Sequence, residues 1–315
     1  MKKNTIRTNE QPTAAAVNYP DLLMLCNGYQ FKPQTPFNPG SEACGTILKV
    51  GKGVEKNIRI GDRVIVGSRI GMMRSIVDVP VDSIFPLPNR LSFEQGACLS
   101  VAYSTAYHCL IERACLKQSD VILVNGASGG VGSAALQIAR RVVGCKTVIA
   151  TGTSHRKLSK LHDATHTIDF ESVSLEDMPR LVKQMTPDGQ GVDVVFDVIG
   201  GDVLESSLRS TKYGARVLIV GFVSGSRPKI RSNYVLIKGL TVLGCRAGEA
   251  IRRGIVDGRK RMRDLTKWIH SGLITPVVSH IFDVENAKMA FNAVLNREVI
   301  GKAVIRFGHN KTCKL

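Results

Sequence analysis

Residues 121–143 read VILVNGASGGVGSAALQIARRVV, and that order of residue types can hold a pyrophosphate. Four apolar residues, 121–124, fit a buried strand. A dinucleotide cradle then needs one glycine for the tight turn, one where the backbone approaches the phosphates, and one where the following helix packs on the strand. Ala127-x-Gly129-x-x-Gly132 fills those places, with alanine for the first glycine. Val131, Ala135, Leu136, Ile138, Ala139, Val142 and Val143 follow at three- and four-residue intervals, the spacing of a helix that buries one face. The start of such a helix points free N–H groups at an anion. The plainer alternative is a glycine-rich turn into a buried helix.

The residue that would receive the adenosine ribose is the next test. An NAD-preferring site ends its second strand with a carboxylate about 20 residues after the cradle. Here residues 146–150 form the second strand, and Thr151-Gly152-Thr153-Ser154-His155-Arg156-Lys157 follow without a carboxylate. Hydroxyls and cations accept a 2′-phosphate that a carboxylate would repel. This pattern predicts NADPH, with Thr153 in the contact region; the alternative is a solvated basic helix start.

These residues must be positioned by alternating strands and helices. Strands are expected at 165–168, 192–197, 215–220 and 240–243, with helices at 175–185 and 203–208. Continuous β-branched runs of this kind mark a parallel sheet buried on both faces. Before residue 98, glycines 40, 45, 51, 53, 61 and 67 punctuate short apolar stretches, as in a small antiparallel barrel. The segment 277–281, a helix at 284–295 and a strand at 303–307 are expected to return to that barrel. The predicted class is therefore α/β: a doubly wound parallel-sheet (Rossmann) domain, 99–249, and a discontinuous β-barrel domain, 1–98 with 250–315.

Several function classes are disfavoured by composition. No apolar run approaches the roughly 20 residues of a membrane helix, and the N-terminal stretch lacks the apolar core of a secretion signal. Eight cysteines carry no C-x-x-C spacing and read as reduced thiols. The net charge of +17 raises nucleic acid as a partner. Its densest run, Arg252-Arg253 with Arg259-Lys260-Arg261 and Arg263, lacks interleaved aromatics, which disfavours it. The chain ends Cys313-Lys314-Leu315, a near relative of the Ser-Lys-Leu signal read by the peroxisomal import receptor. The expected location is accordingly peroxisome or cytoplasm.

Taken in order, VNYPDLL, PGSEACGTILKVGKGV with GDRV, STAYHCL, NGASGGVG, DVIGGDV, VGFVSG and GKAVIRF resemble the quinone oxidoreductase (zeta-crystallin-like) branch of the medium-chain dehydrogenase/reductase superfamily. The resemblance runs from about residue 16 to 307. It implies a GroES-like first domain, a homodimer, and NADPH-dependent hydride transfer to a quinone or an α,β-unsaturated carbonyl. An enoyl-thioester reductase and a non-catalytic NADPH- or RNA-binding relative are the alternatives. Zinc-dependent members carry Gly-His-Glu where this chain has Gly40-Ser41-Glu42, so no metal is expected. The resemblance places Asn18 and Asp21 near the nicotinamide, Thr105 near its ribose, and Tyr103 as a further cleft residue. It also sets Ser128, Gly129, Gly130, Val131 and Gly132 at the pyrophosphate, Lys157 at the 2′-phosphate, and Gly221 and Phe222 beside the nicotinamide. Bland readings stay open: a turn at residues 18–21, a surface or buried hydroxyl at Thr105, a core Tyr103, and an ordinary loop at 221–222. Phe170 stands where some members carry a Tyr or His at the adenosine phosphate, and Leu23 where some carry a Tyr at the active site. The first domain also looks shortened, since only a polar stretch precedes residue 16, and an exposed sheet edge is the expected consequence.

Overall fold

The computed structural model describes residues 5–8, 13–52, 54 and 58–308; Cys313, Lys314 and Leu315 lie outside them. The chain divides into two compact units, 1–101 with 275–315, and 102–274.

The first unit begins with strands Thr5–Thr8 (β1), Thr13–Val17 (β2), Glu42–Val50 (β3), Arg63–Gly67 (β4), Val77–Pro80 (β5) and Ile84–Pro86 (β6), with short helices Tyr19–Leu25 (α1) and Phe93–Gly96 (α2). The polar N-terminal stretch supplies one short strand. β1 pairs antiparallel with both β3 and β5, and its sequence TIRT has the β-branched content that suits a pleated ribbon. β2 is the small-residue run TAAAV, buried throughout.

The second unit opens on helix Ser104–Tyr107 (α3), continued in wider turns over His108–Arg113. Strands Ile122–Asn125 (β7), Val148–Gly152 (β8), His166–Asp169 (β9), Val192–Asp197 (β10), Thr211–Ile219 (β11) and Thr241–Gly244 (β12) form one parallel sheet in the order β12-β11-β10-β7-β8-β9. Helices Gly130–Gln137 (α4), His155–Leu158 (α5), Met178–Gln184 (α6), Gly201–Arg209 (α7), Ser232–Lys238 (α8), Ala247–Arg252 (α9) and Gly258–His270 (α10) connect and flank the strands. Leu123, Ile149, Val195 and Val217 have no exposed surface, as a sheet covered on both faces requires.

The second boundary falls after Ile274 rather than after residue 249. α10 accounts for the difference. Its Arg261, Met262, Leu265 and Ile269 are buried, and Arg261 donates to Ser104 Oγ at 2.9 Å and to Glu112 Oε2 at 2.8 Å, both within the second unit. A stretch legible as a solvated basic run thus buries one cation among hydrogen-bond acceptors.

The chain then returns to the first unit with Val278–Asp283 (β13), Ala287–Leu295 (α11) and Lys302–Phe307 (β14). β14 lies between β13 and β2 in the sheet order β13-β14-β2-β3-β1-β5, while β4 pairs with β3 and β6. Thr13 Oγ1 donates to the Phe307 carbonyl at 3.3 Å, closing this unit across nearly the whole chain.

Candidate functional site

At the end of β7 the backbone turns at Gly126, which has φ +71°. A side chain there would be strained by conformation and would also meet Val198 and Ile199 at 2.7–2.8 Å. The sequence pattern placed alanine at the turn position; in the structure Gly126 makes the turn, and Ala127, fully buried, follows it. Gly129 is extended, at φ −76° and ψ 172°, and precedes α4. Gly132 packs so closely that a Cβ would lie 2.3 Å from the Gly126 carbonyl oxygen and 2.8 Å from Ala127 Cα. The first-turn N–H groups of α4, at Gly130, Val131 and Gly132, have no partner within the helix. Ser128, Gly129, Gly130 and Val131 are all partly accessible there.

Two further loops are laced to this turn. Val223 and Ser224 donate backbone N–H groups to the Val198 and Ile199 carbonyls at 3.0 Å each. Gly200, at φ +75°, leaves room for Phe222, whose ring a Cβ would meet at 2.8 Å, and a Cβ on Gly221 would stand 3.3 Å from the Val198 carbonyl. Gly126, the 198–201 loop, Gly221 and Phe222 are therefore brought together at the carboxyl ends of β7, β10 and β11, where ligands bind in open α/β sheets.

A buried polar floor supports these loops, and most of it went unread in the sequence. Asn125 Nδ2 donates to Asp197 Oδ1 at 2.8 Å and to Ser207 Oγ at 2.9 Å, while Asn125 Oδ1 accepts from Thr151 Oγ1 at 3.0 Å. Asp197 Oδ2 accepts the Gly200 N–H at 2.7 Å. Burial raises the Asp197 carboxyl to about 6, against the lowering effect of the hydrogen bonds from Asn125, Gly200 and Ile199. The available signal was the placement of Asn125 and Asp197 at the carboxyl ends of strands, each directly after an apolar run.

At the end of β8, Thr153 is exposed and Lys157, on α5, is half-buried. Thr151 and Gly152 complete the strand, so the position of an NAD-type carboxylate is held by a hydroxyl and a glycine. The donor set fits a dinucleotide with a 2′-phosphate: a glycine cradle that a Cβ would fill, helix N–H groups, a hydroxyl and an ammonium.

The expected nicotinamide and acceptor residues are arranged otherwise. Asn18 and Asp21 are buried, at 6% and 0% exposure, within a network of the first unit. Asp21 Oδ2 accepts the Asn18 N–H at 2.9 Å, and Asp21 Oδ1 accepts from Ser41 Oγ at 3.1 Å. Asn18 Nδ2 donates to Glu42 Oε1 at 3.0 Å, and Lys302 Nζ donates to Asn18 Oδ1 at 2.5 Å. Glu42 Oε2 also accepts from Ser100 Oγ and the Val101 N–H. Burial raises the Asp21 carboxyl, opposed by the Asn18 N–H, Lys302 and Ser41. Asn18 and Asp21 are thus positioning groups for α1. Tyr103 is likewise buried, with its hydroxyl donated to Gln137 Oε1 at 3.1 Å, which makes it a link to α4 rather than a cleft residue. Thr105 is half-buried on α3.

Two family models match in tandem: an alcohol dehydrogenase GroES-like domain over residues 11–89 and a zinc-binding dehydrogenase domain over residues 130–271. A quinone oxidoreductase-like protein 2 homolog from Nematostella vectensis is 32% identical over 295 residues, covering 93% of this chain and 79% of the relative. The quinone oxidoreductase-like protein 2 of Mus musculus is 31% identical over 290 residues, 92% and 81% of the two chains. This chain belongs to the medium-chain dehydrogenase/reductase superfamily, among its quinone oxidoreductase-like members. The Escherichia coli quinone oxidoreductase, solved as a complex with NADPH, superimposes on this superfamily member with a TM-score of 0.82 at 26% identity, over 96% of this chain and 91% of that one. The medium-chain architecture of parallel-sheet unit and GroES-like unit is therefore the one described above. At the Gly-His-Glu position of the zinc-dependent members, this chain places Ser41, whose hydroxyl is given to Asp21. Among the described residues no three His, Cys, Asp or Glu side chains are grouped to hold a metal ion.

Proposed function

We propose that this medium-chain oxidoreductase uses NADPH to reduce a quinone or an α,β-unsaturated carbonyl without zinc. The observation that carries this reading is the cradle from Gly126 to Gly132 combined with Thr153 and Lys157, and no carboxylate, at the end of β8. Bound NADPH supplies a hydride from its nicotinamide ring. The α4 N–H groups and Ser128 hold the pyrophosphate, and Lys157 with Thr153 holds the 2′-phosphate. Gly221 and Phe222, fixed against Gly200, set the depth of the nicotinamide end. Quinones and conjugated enones spread the incoming charge onto a distant oxygen, so orientation supplies much of the rate.

The reading includes self-association. β12 is an edge strand of its sheet, and Tyr213, Leu236 and Ile237 are exposed large apolar residues of the same unit, at 80%, 81% and 71%. An open edge beside apolar surface invites pairing with a second copy.

The test is oxidation of NADPH and of NADH by the purified chain with 1,4-quinones, enones and enoyl thioesters, repeated with Lys157→Ala. Turnover of quinones or enones with NADPH, and a KM for NADPH raised at least about tenfold by the variant while that for NADH holds, supports the reading. Turnover of enoyl thioesters alone moves the substrate to that class. Equal use of NADH and NADPH overturns the 2′-phosphate assignment, and absence of turnover with any acceptor overturns the activity.

A further inference from the structure

The basic run near the end of the second unit has no part in the site described above. In residues 246–270 seven exposed cations stand against three carboxylates, Arg261 being buried. Each of those carboxylates is already shared. Glu249 on α9 is paired with Arg246, Arg252 and Arg253 together. Asp264 on α10 is paired with Lys260 and Lys267, and Asp257 takes Arg263 while capping α10. Arg259, Arg263, Lys267 and His270 follow one another at i, i+4, i+8 and i+11, on a face of α10 turned away from its buried Met262, Leu265 and Ile269. A surplus of positive charge therefore lies along α10 and the neighbouring α9.

The turn between the two helices adds apolar surface to that charge. Gly254, at φ +65°, donates its N–H to the Ile251 carbonyl at 2.9 Å, and Ile255 donates its own to the Ala250 carbonyl at 3.0 Å. These two bonds are the Schellman closure of α9, in which an apolar residue in the place of Ile255 commonly packs back on the last turn of its helix. Ile255 is instead 71% exposed. Ile251 is 39% exposed and lies against the start of α10, where a Cβ on Gly258 would meet it at 3.1 Å. The backbone of the turn is thus fixed while an isoleucine is held out into solvent between Arg253 and the first turn of α10. A single exposed isoleucine is ordinary; two of them flanked by arginines on both sides form a surface of mixed character.

Apolar side chains projecting among cations match an anionic bilayer surface, where phosphates and carboxylates lie outermost and hydrocarbon just beneath. Nucleic acid also offers phosphates to the cations, but its bases stack on aromatic side chains, and an exposed isoleucine has no counterpart there. We propose that the turn joining α9 to α10 is a membrane-docking surface: Ile255 and Ile251 enter the interfacial layer of an anionic bilayer, and the arginines and lysines of the two helices face its headgroups. The attachment is peripheral and reversible. It needs no spanning segment, and among the described residues no helix is long and apolar enough to cross a membrane. The inference is independent of the acceptor proposed above.

The experiment is co-sedimentation of the full chain with vesicles of phosphatidylcholine alone and of phosphatidylcholine with about one-quarter phosphatidylserine. Binding to the anionic vesicles at least about tenfold tighter than to the neutral ones is expected, falling several-fold between about 50 and 300 mM salt. Ile255→Ser is expected to weaken it at least about fivefold, and Arg253→Glu with Lys267→Glu at least about tenfold. Arg180→Glu with Lys288→Glu makes the same change of net charge at exposed sites elsewhere and is expected to cost less than about twofold. Equal losses from the two charge pairs show attraction by total charge and overturn the proposal, as does binding to both vesicles alike or binding unchanged by Ile255→Ser. A single-stranded RNA that displaces the vesicles, with its own affinity lowered by Arg253→Glu and Lys267→Glu but not by Ile255→Ser, gives the surface to nucleic acid and also overturns it. If a charge variant does not fold, Ile255→Trp decides. Tighter binding with emission shifted to the blue on anionic vesicles supports docking through the turn, and unshifted emission overturns it.

Discussion

Gly132 is the residue whose substitution has the most direct consequence. An added methyl would stand 2.3 Å from a backbone oxygen and 2.8 Å from a backbone carbon, and neither can swing aside as a side chain does. Gly132→Ala is expected to cost about 1–3 kcal/mol in stability. It should weaken NADPH binding at least about tenfold by lifting α4 off the turn, read by denaturant titration and by quenching of nucleotide fluorescence. Asp197 gives a pH prediction. Its carboxyl rises from 3.8 to about 6 in the folded chain. Between those values the folded state holds a proton that the unfolded state has lost, so this group stabilises the fold as pH falls from about 7 to about 4 and opposes it above. The span is on the order of 3 kcal/mol. Asp197→Asn removes the titration, so the variant's stability relative to the parent should rise through that window as pH increases. Paired melts from pH 4 to 8 check this, and a flat difference would show that Asp197 is not the group responsible.

α10 separates what a pattern of residue types can reveal from what it cannot. Its basic residues are visible in the sequence, but only the fold shows that Arg261 is fully buried while Arg259, Lys260 and Arg263 face solvent. Arg261 holds Glu112 and Ser104. Arg261→Ala strands those groups and is expected to cost about 2–3 kcal/mol, less than a fully desolvated pair because Glu112 remains one-fifth exposed. Asp257 caps the same helix by accepting the Arg259 and Lys260 N–H groups at 2.8 and 3.1 Å. Asp257→Ala should cost about 1 kcal/mol. Both are read as shifts in the urea midpoint at unchanged slope. The strand, turn and helix of the cradle were legible because each position demands a residue type: small at the turn, apolar on one helix face. The long-range pairs were not. Asn18 and Asp21 sit at the start of α1, in a sequence that fits either a cleft or a turn, and the partner that settles Asn18, Lys302, lies 284 residues away.

Across the whole chain, 43 basic residues face 26 acidic ones. A field of that sign attracts a polyanionic dinucleotide, so the association rate of NADPH should fall several-fold between about 20 and 200 mM salt, with a much smaller change in its dissociation rate. Stopped-flow binding at several ionic strengths separates the two. If β12 pairs with a second copy, Leu236→Lys with Ile237→Lys should shift the chain toward monomer in sedimentation while leaving the melting temperature nearly unchanged. A species already monomeric before substitution would remove that interface. The alternation of strand and helix was readable because a sheet buried on both faces demands apolar runs. The strand in residues 5–8 escaped because pairing, rather than apolar content, makes it one.

The insertion of β14 between β13 and β2 also fixes an order of events during synthesis. β2 is made before the second unit, but its neighbour on that side is made only after that entire unit. The parallel sheet, whose strands all lie within residues 102–274, can close while β2 still waits with its edge unpaired. A strand made before the second unit is therefore secured on that side only after it, and through that interval the nascent chain carries an open strand edge that a chaperone or a neighbouring chain can reach.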